Sequence, residues 1–228
     1  MIRSGPAPLA ALAALAALAP AAAADAAPLV LRSAGPSAKV YAPGKTLPEK
    51  APVALKPGDV VTVLVAAGTR VLRGPGNFTL GGGGGIAAFN PRARFGAMRS
   101  GEIESPSLWE VDVSQSGTVC LADPAKVVLW RPDSTEAARL TLKPASGGAA
   151  ATVDWPAGQA TLPWPGKAAV AEGIEYGLTL STSGDTSRIR FARLPAVPED
   201  LGRIASGLIE KGCQGQLDLL IDTTPKAP

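Results

Sequence analysis

The stretch Leu55-Lys56-Pro57-Gly58-Asp59-Val60-Val61-Thr62-Val63-Leu64-Val65-Ala66-Ala67-Gly68-Thr69-Arg70-Val71-Leu72 decides the fold class. Lys56–Asp59 is a turn by mechanism, because Pro57 fixes one φ and Gly58 tolerates the conformation that follows. Val60–Ala66 is rich in β-branched residues and shows no helical period, so it reads as a strand. Ala67-Gly68 then predicts a turn and Arg70–Leu72 a returning strand. Working outward, Leu29–Leu31, Lys39–Tyr41, Val53–Leu55 and Phe78–Leu80 have the same character, each bounded by Gly, Pro or Asn. Residues 28–98 are therefore expected to form a compact all-β module. The run Gly81–Gly85 lacks the Lys-Ser/Thr of a phosphate cradle and reads as a loop.

Val40-Tyr41, Gly44, the segment from Leu55 to Leu64, Gly68 to Leu72 and Gly74-Pro75-Gly76 together resemble the FecR-type periplasmic domain, in which Gly-Asp precedes an alternating strand. The resemblance covers roughly residues 35–80. It implies a non-catalytic β-domain exposed in the periplasm, in some members relaying a signal from an outer-membrane receptor. For this chain the expectation is a stand-alone envelope module.

The second half repeats the strand-and-turn pattern. Leu108–Val113, Thr118–Leu121, Val127–Arg131, Ala138–Leu142, Ala150–Val153, Gln159–Leu162, Glu175–Ser181 and Arg188–Phe191 are strand candidates at near-regular spacing, which predicts an antiparallel sandwich or barrel. A helix is expected over 198–211. Pro198 suits its first turn, Glu199 and Asp200 suit the positive end of its dipole, and Lys211-Gly212 closes it. Leu201, Ile204, Ala205, Leu208 and Ile209 then share one face, packed on the second domain. Leu217, Leu219 and Ile221 alternate with other residues as a last strand. The fold class expected is all-β: two small sandwich- or barrel-like domains, 28–98 and 105–222, with a short C-terminal helix.

Composition narrows the chemistry. The chain has 228 residues and no His, which excludes Ser-His-Asp, Cys-His and HExxH sites and His-rich metal centres. Gly44-Lys45-Thr46 has Lys39 where a nucleotide-binding loop needs Gly, and neither S-x-x-K nor G-x-S-x-G occurs. Glu102 with Glu104, and Glu172 with Glu175 near Tyr176, are carboxylate pairs of the kind glycoside hydrolysis uses, but exposed turns explain them equally well. The expectation is a non-enzyme with no cofactor and no metal.

Arg3, the apolar run Pro8–Ala19 and the small residues Ala22–Ala24 follow the pattern of a secretory signal peptide, residues 1–24. The mature chain is expected to be periplasmic or secreted and not to span the membrane. In an oxidising compartment Cys120 and Cys213 are expected to pair. Closing so long a loop stabilises by roughly 4–5 kcal/mol in the chain-entropy model.

Charge is uneven. Asp25–Ser100 carries ten basic and three acidic residues, or +7, whereas Gly101–Pro228 carries eleven and sixteen, or −5. Opposite signs in an exported chain argue against nucleic acid as a partner. They point instead to an acidic envelope protein met by Arg70, Arg73, Arg92, Arg94 and Arg99. Among the tryptophans, Trp109 and Trp130 lie in strand-like runs as core anchors. Trp155 and Trp164 precede Pro in turns, where they offer either covers for the sandwich edge or, as the alternative function, stacking platforms for a cell-wall glycan.

Overall fold

The computed structural model describes residues 27–50, 52–81, 106–165, 170–194 and 200–227. The signal segment, the loop containing Arg92, Arg94 and Arg99, the pair Glu102 and Glu104, and the domain boundary near residue 100 lie outside the described residues. The architecture is mostly β, closed by short C-terminal helices.

The first module contains β1 (Leu29–Ala34), β2 (Val53–Leu55), β3 (Val60–Val65), β4 (Gly68–Arg73) and β5 (Gly76–Phe78). One sheet has the order β1-β3-β4 and the other pairs β2 with β5. The hairpin comes out as expected with its turn one residue earlier, at Ala66-Ala67, so that Gly68 pairs with Val65. Inward-facing Val30, Leu55, Val61, Val63 and Leu72 form the core with Leu47, Val53 and Leu80.

Asp59 organises the preceding turn. Its carboxylate accepts from the backbone N–H of Ser37 at 2.8 Å and of Lys56 at 2.6 Å. Burial works to raise its pKa, but these hydrogen bonds prevail and hold the carboxyl below its ordinary value.

Lys39–Tyr41 is not a strand. The Ser37 carbonyl accepts from the N–H groups of Val40 and Tyr41, so local turn bonds replace a ladder, and Val40 is left 56% exposed. Tyr41 instead tacks its hydroxyl to both backbone groups of Ala54. The expected strand Phe78–Leu80 is shifted forward to β5, because pairing to β2 ends at Phe78.

The second region contains β6 (Glu110–Asp112), β7 (Gly117–Leu121), β8 (Val128–Trp130), β9 (Ala138–Pro144), β10 (Ala151–Trp155), β11 (Thr161–Pro163), β12 (Glu175–Leu180) and β13 (Thr186–Arg193). A sheet of order β10-β9-β12-β13-β7 faces a sheet of order β11-β8-β6. Val111 and Leu129 from the smaller sheet share one core with Leu140, Leu142, Tyr176, Leu178, Ile189 and Phe191 from the larger. This is a sandwich, though not a purely antiparallel one, since β7 runs parallel to β13 and β6 parallel to β8.

Helix α1 (Leu201–Lys211) ends where the sequence predicts but starts at Leu201, not Pro198, with Asp200 as its extended N-cap; Pro198 and Glu199 lie outside the described residues. The Asp200 carboxylate caps it by accepting from the Arg203 N–H at 2.8 Å, and Gly212 ends it in the left-handed conformation. The strand expected through Leu217, Leu219 and Ile221 is instead helix α2 (Gln214–Thr223). Leu217, Leu220 and Ile221, at i, i+3 and i+4, are the positions that are buried there.

Both helices pack against both β-regions. Their core takes in Leu29, Leu31 and Leu64 from the first module as well as Leu108, Cys120 and Leu194 from the second. Asp218 of α2 pairs with Arg32 of β1. Beyond α2 the tail reaches β4, where Thr69 N–H donates to the Pro225 carbonyl and Ala227 N–H donates to the Thr69 carbonyl, each at 2.8 Å. The expectation that the helix packs on the second domain alone is thus corrected. The apolar residues of β1 and β3 supply the other half of its pocket.

Candidate functional site

The fold gives β4 an unusual position. It pairs with β3 through Gly68, Arg70 and Leu72, while Thr69, Val71 and Arg73 turn their backbone groups outward, as the Thr69 bonds to the tail and the strand's two-residue period require. The tail covers Thr69 only. Among the described residues no backbone bond is made from the outward groups of Val71 and Arg73. The Val71 side chain is 46% exposed at this edge and Arg73 is exposed beside it.

Of the predicted arginine patch only Arg70 and Arg73 lie among the described residues, and these two do not converge. Arg70 and Arg73 are three residues apart on one strand and so project from opposite faces. Arg70 is half-buried and spends Nη1 on the Thr79 carbonyl at 3.0 Å. Arg73 alone of the two stands free of a described partner, next to the open edge.

The predicted tryptophan pair is corrected at one member. Trp155 lies at the end of β10, not in a turn, and is 0% exposed. Its indole N–H donates to the Gln159 carbonyl at 2.8 Å, so it has no face left for a sugar. Trp164 is half-buried and meets Tyr176 and Phe191 edge-on, with ring centroids 5.4 and 5.2 Å away. Its remaining surface borders an open cavity of about 330 Å³ with Lys126 and Pro163. Trp130 is buried as expected, with no hydrogen-bond partner at its indole nitrogen among the described residues, whereas Trp109 only flanks the helical core.

The carboxylates near Tyr176 are tied up singly. Glu172 accepts from the Arg193 N–H at 3.1 Å, and Glu175 pairs with Arg190 at 3.8 Å. Among the described residues no three Cys, Asp or Glu side chains cluster as metal ligands, and no helix is long and apolar enough to cross a membrane.

Arg131 was not legible as special, although Val127, Leu129 and Arg131 share the inward phase of their strand, and a charge in that phase is a signal. It is 1% exposed. Nε donates to the Gln159 carbonyl at 3.1 Å and Nη2 to the Pro156 carbonyl at 2.9 Å, while its guanidinium carbon lies 5.1 Å from the Trp155 ring centroid. Burial lowers its pKa and the nearby Asp133 carboxylate opposes that shift. Arg131 forms part of the wall of a second cavity of about 330 Å³.

Cys120 and Cys213 form a disulfide and both are fully buried. Compared with protein-family models, with curated proteins and with solved structures, the chain matches none.

Proposed function

We propose that this chain is an exported, non-enzymatic envelope protein that binds a protein partner by adding an acidic, extended segment of that partner to β4. The observation that carries the reading is the outer edge of β4, where Val71 and Arg73 continue a row of backbone groups whose first member is already paired by an extended segment. Strand addition draws its affinity from such main-chain bonds and its specificity from alternate side chains. Exposed Arg73, in a half-chain of charge +7, favours an acidic partner and its fast capture. The resemblance of residues 35–80 to FecR-type modules fits the same reading and gives it a relay role in the periplasm. The signal-peptide pattern and the buried disulfide suit that compartment.

The test places a photo-reactive side chain at position 71 of the mature chain in its native envelope and sequences the cross-linked peptide. An adduct through an acidic extended segment is expected, weakened at low salt by Arg73→Glu. No adduct at position 71, or an adduct indifferent to that reversal, overturns the reading.

A further inference from the structure

We propose that the cavity beside Arg131 binds a small polyhydroxylated ligand, a sugar or sugar-like polyol. The proposal is independent of the β4 edge. The cavity opens at one end of the sandwich, where three connections converge: Ser114 and Ser116 between β6 and β7, Pro132 and Asp133 after β8, and the Leu180–Thr186 segment between β12 and β13. Its volume of about 330 Å³ is at the low end for small-molecule sites, about 300–1,000 Å³.

Two buried polar residues contribute to the wall. Ser187 donates its hydroxyl to the Val113 carbonyl at 2.7 Å and keeps acceptor capacity. Arg131 spends Nε and Nη2 on backbone carbonyls, and its Nη1 has no hydrogen-bond partner among the described residues. That donor remains available to an acceptor that enters the cavity. The rim adds further capacity. Asp185 accepts no side-chain bond from a described residue, Thr182 has an uncommitted hydroxyl, and Ser116 uses its oxygen to accept from the Arg188 N–H at 3.0 Å and keeps its proton to donate.

The donor and acceptor pattern selects the ligand class. The cavity wall carries one guanidinium, Arg131, and two carboxylates, Asp133 and Asp185, so an anion meets net negative charge. Vicinal hydroxyls instead donate to a carboxylate and accept from Nη1 and the Ser and Thr hydroxyls, while a C–H face rests on Val113, Leu180 and Pro132.

Amide spectra of the mature chain titrated separately with glucose, N-acetylglucosamine, sorbitol and acetate test this. Saturable shifts over Ser114–Ser116 and Thr182–Ser187 with at least one of the three polyols are expected, with β4 unmoved and affinity about tenfold weaker in Asp185→Ala. Asp185 is exposed, so that variant keeps the fold, which its unshifted core amides confirm. Absence of saturable shifts with all three polyols, tighter binding of acetate than of any polyol, or affinity unchanged in both Asp185→Ala and Asp133→Ala overturns the proposal.

Discussion

Strands β7 and β4 each end a sheet, and the chain treats the two edges differently. At β7 the Cys120 end of the edge is sealed by a side chain: Gln216 of α2 accepts from the Cys120 N–H at 2.6 Å and donates to the Cys120 carbonyl at 2.9 Å, as a neighbouring peptide would. Its amide also reaches the Leu108 carbonyl at 2.8 Å, and the Cys120–Cys213 bond fixes the same spot covalently. At β4 the tail satisfies Thr69, and the outward groups of Val71 and Arg73 carry on past it. Exposed edges invite pairing with other chains, so natural sheets blunt them. Here one edge is fully buried at Cys120 while its Gly117–Val119 end stays exposed or half-buried, and the other is covered at Thr69 with Val71 and Arg73 exposed beyond it. The difference teaches where an incoming strand finds room.

The largest effect is expected from the sealed edge. Replacing both Cys120 and Cys213 by Ala removes a cross-link spanning 93 residues, and a loss of about 4 kcal/mol in denaturant unfolding is expected. A loss below about 1 kcal/mol means the helices hold β7 without the bond. Next comes Gln216→Met, which keeps the volume but orphans the buried N–H and carbonyl of Cys120 and the Leu108 carbonyl. About 3 kcal/mol is expected from leaving such groups unsatisfied, read from the same unfolding curves with the disulfide intact. An unchanged midpoint breaks the contrast between the edges.

Gly68→Ala sharpens the comparison from the other side. Gly68 has φ +132°, and a Cβ there falls 2.1 Å from the Pro225 carbonyl oxygen, a backbone atom that cannot swing aside. The tail must leave β4, with loss of its two bonds to Thr69. About 2 kcal/mol of destabilisation is expected, together with a longer open edge. Concentration-dependent self-association by sedimentation is the readout of that edge. A variant equally stable and equally monomeric shows that the tail does not protect β4.

How much of this was legible follows from where the information lies. The β3–β4 hairpin was legible because its turn chemistry and β-branched run are local. The end of α1 was legible because Gly212 is the cap itself, whereas its start reads as Pro198, ahead of the capping Asp200, because Pro and acidic residues suit both a first turn and the approach to one. Residues 217–221 misled because Leu217, Leu219 and Ile221 satisfy a two-residue period, while Leu217, Leu220 and Ile221 satisfy the helical spacing. Packing against β1 and β7 decided between them. Trp155 was misplaced because its neighbours Pro156 and Gly158 signal a turn that begins one residue later. Neither the open edge of β4 nor the Arg131 cavity was legible, since each is made by segments far apart in sequence.

The smallest effect expected is electrostatic, and it separates the two regions by pH. Asp59 holds the turn that leads into β3, and its backbone carbonyl accepts from the Gly74 N–H just past β4 at 2.9 Å. Because the folded pKa is depressed, the stabilisation is fully present above the unfolded value, about 3.9. It is lost as pH falls through the lower folded value. Nothing comparable sits at β7, where Gln216, which does not titrate, makes the corresponding bonds. Asp133, whose pKa the Thr135 hydroxyl also lowers, belongs to the connection after β8. As pH falls below about 4, hydrogen exchange at the amides of Ser37 and Lys56 is therefore expected to accelerate, relative to its intrinsic rate, before that at Cys120 does. Asp59→Asn keeps an acceptor at that position and flattens this dependence, at the cost of weaker bonds at neutral pH. If the wild-type Ser37 and Cys120 amides lose protection together, the turn and the sealed edge open as one unit, and the β4 edge has no mobility of its own with which to admit a partner.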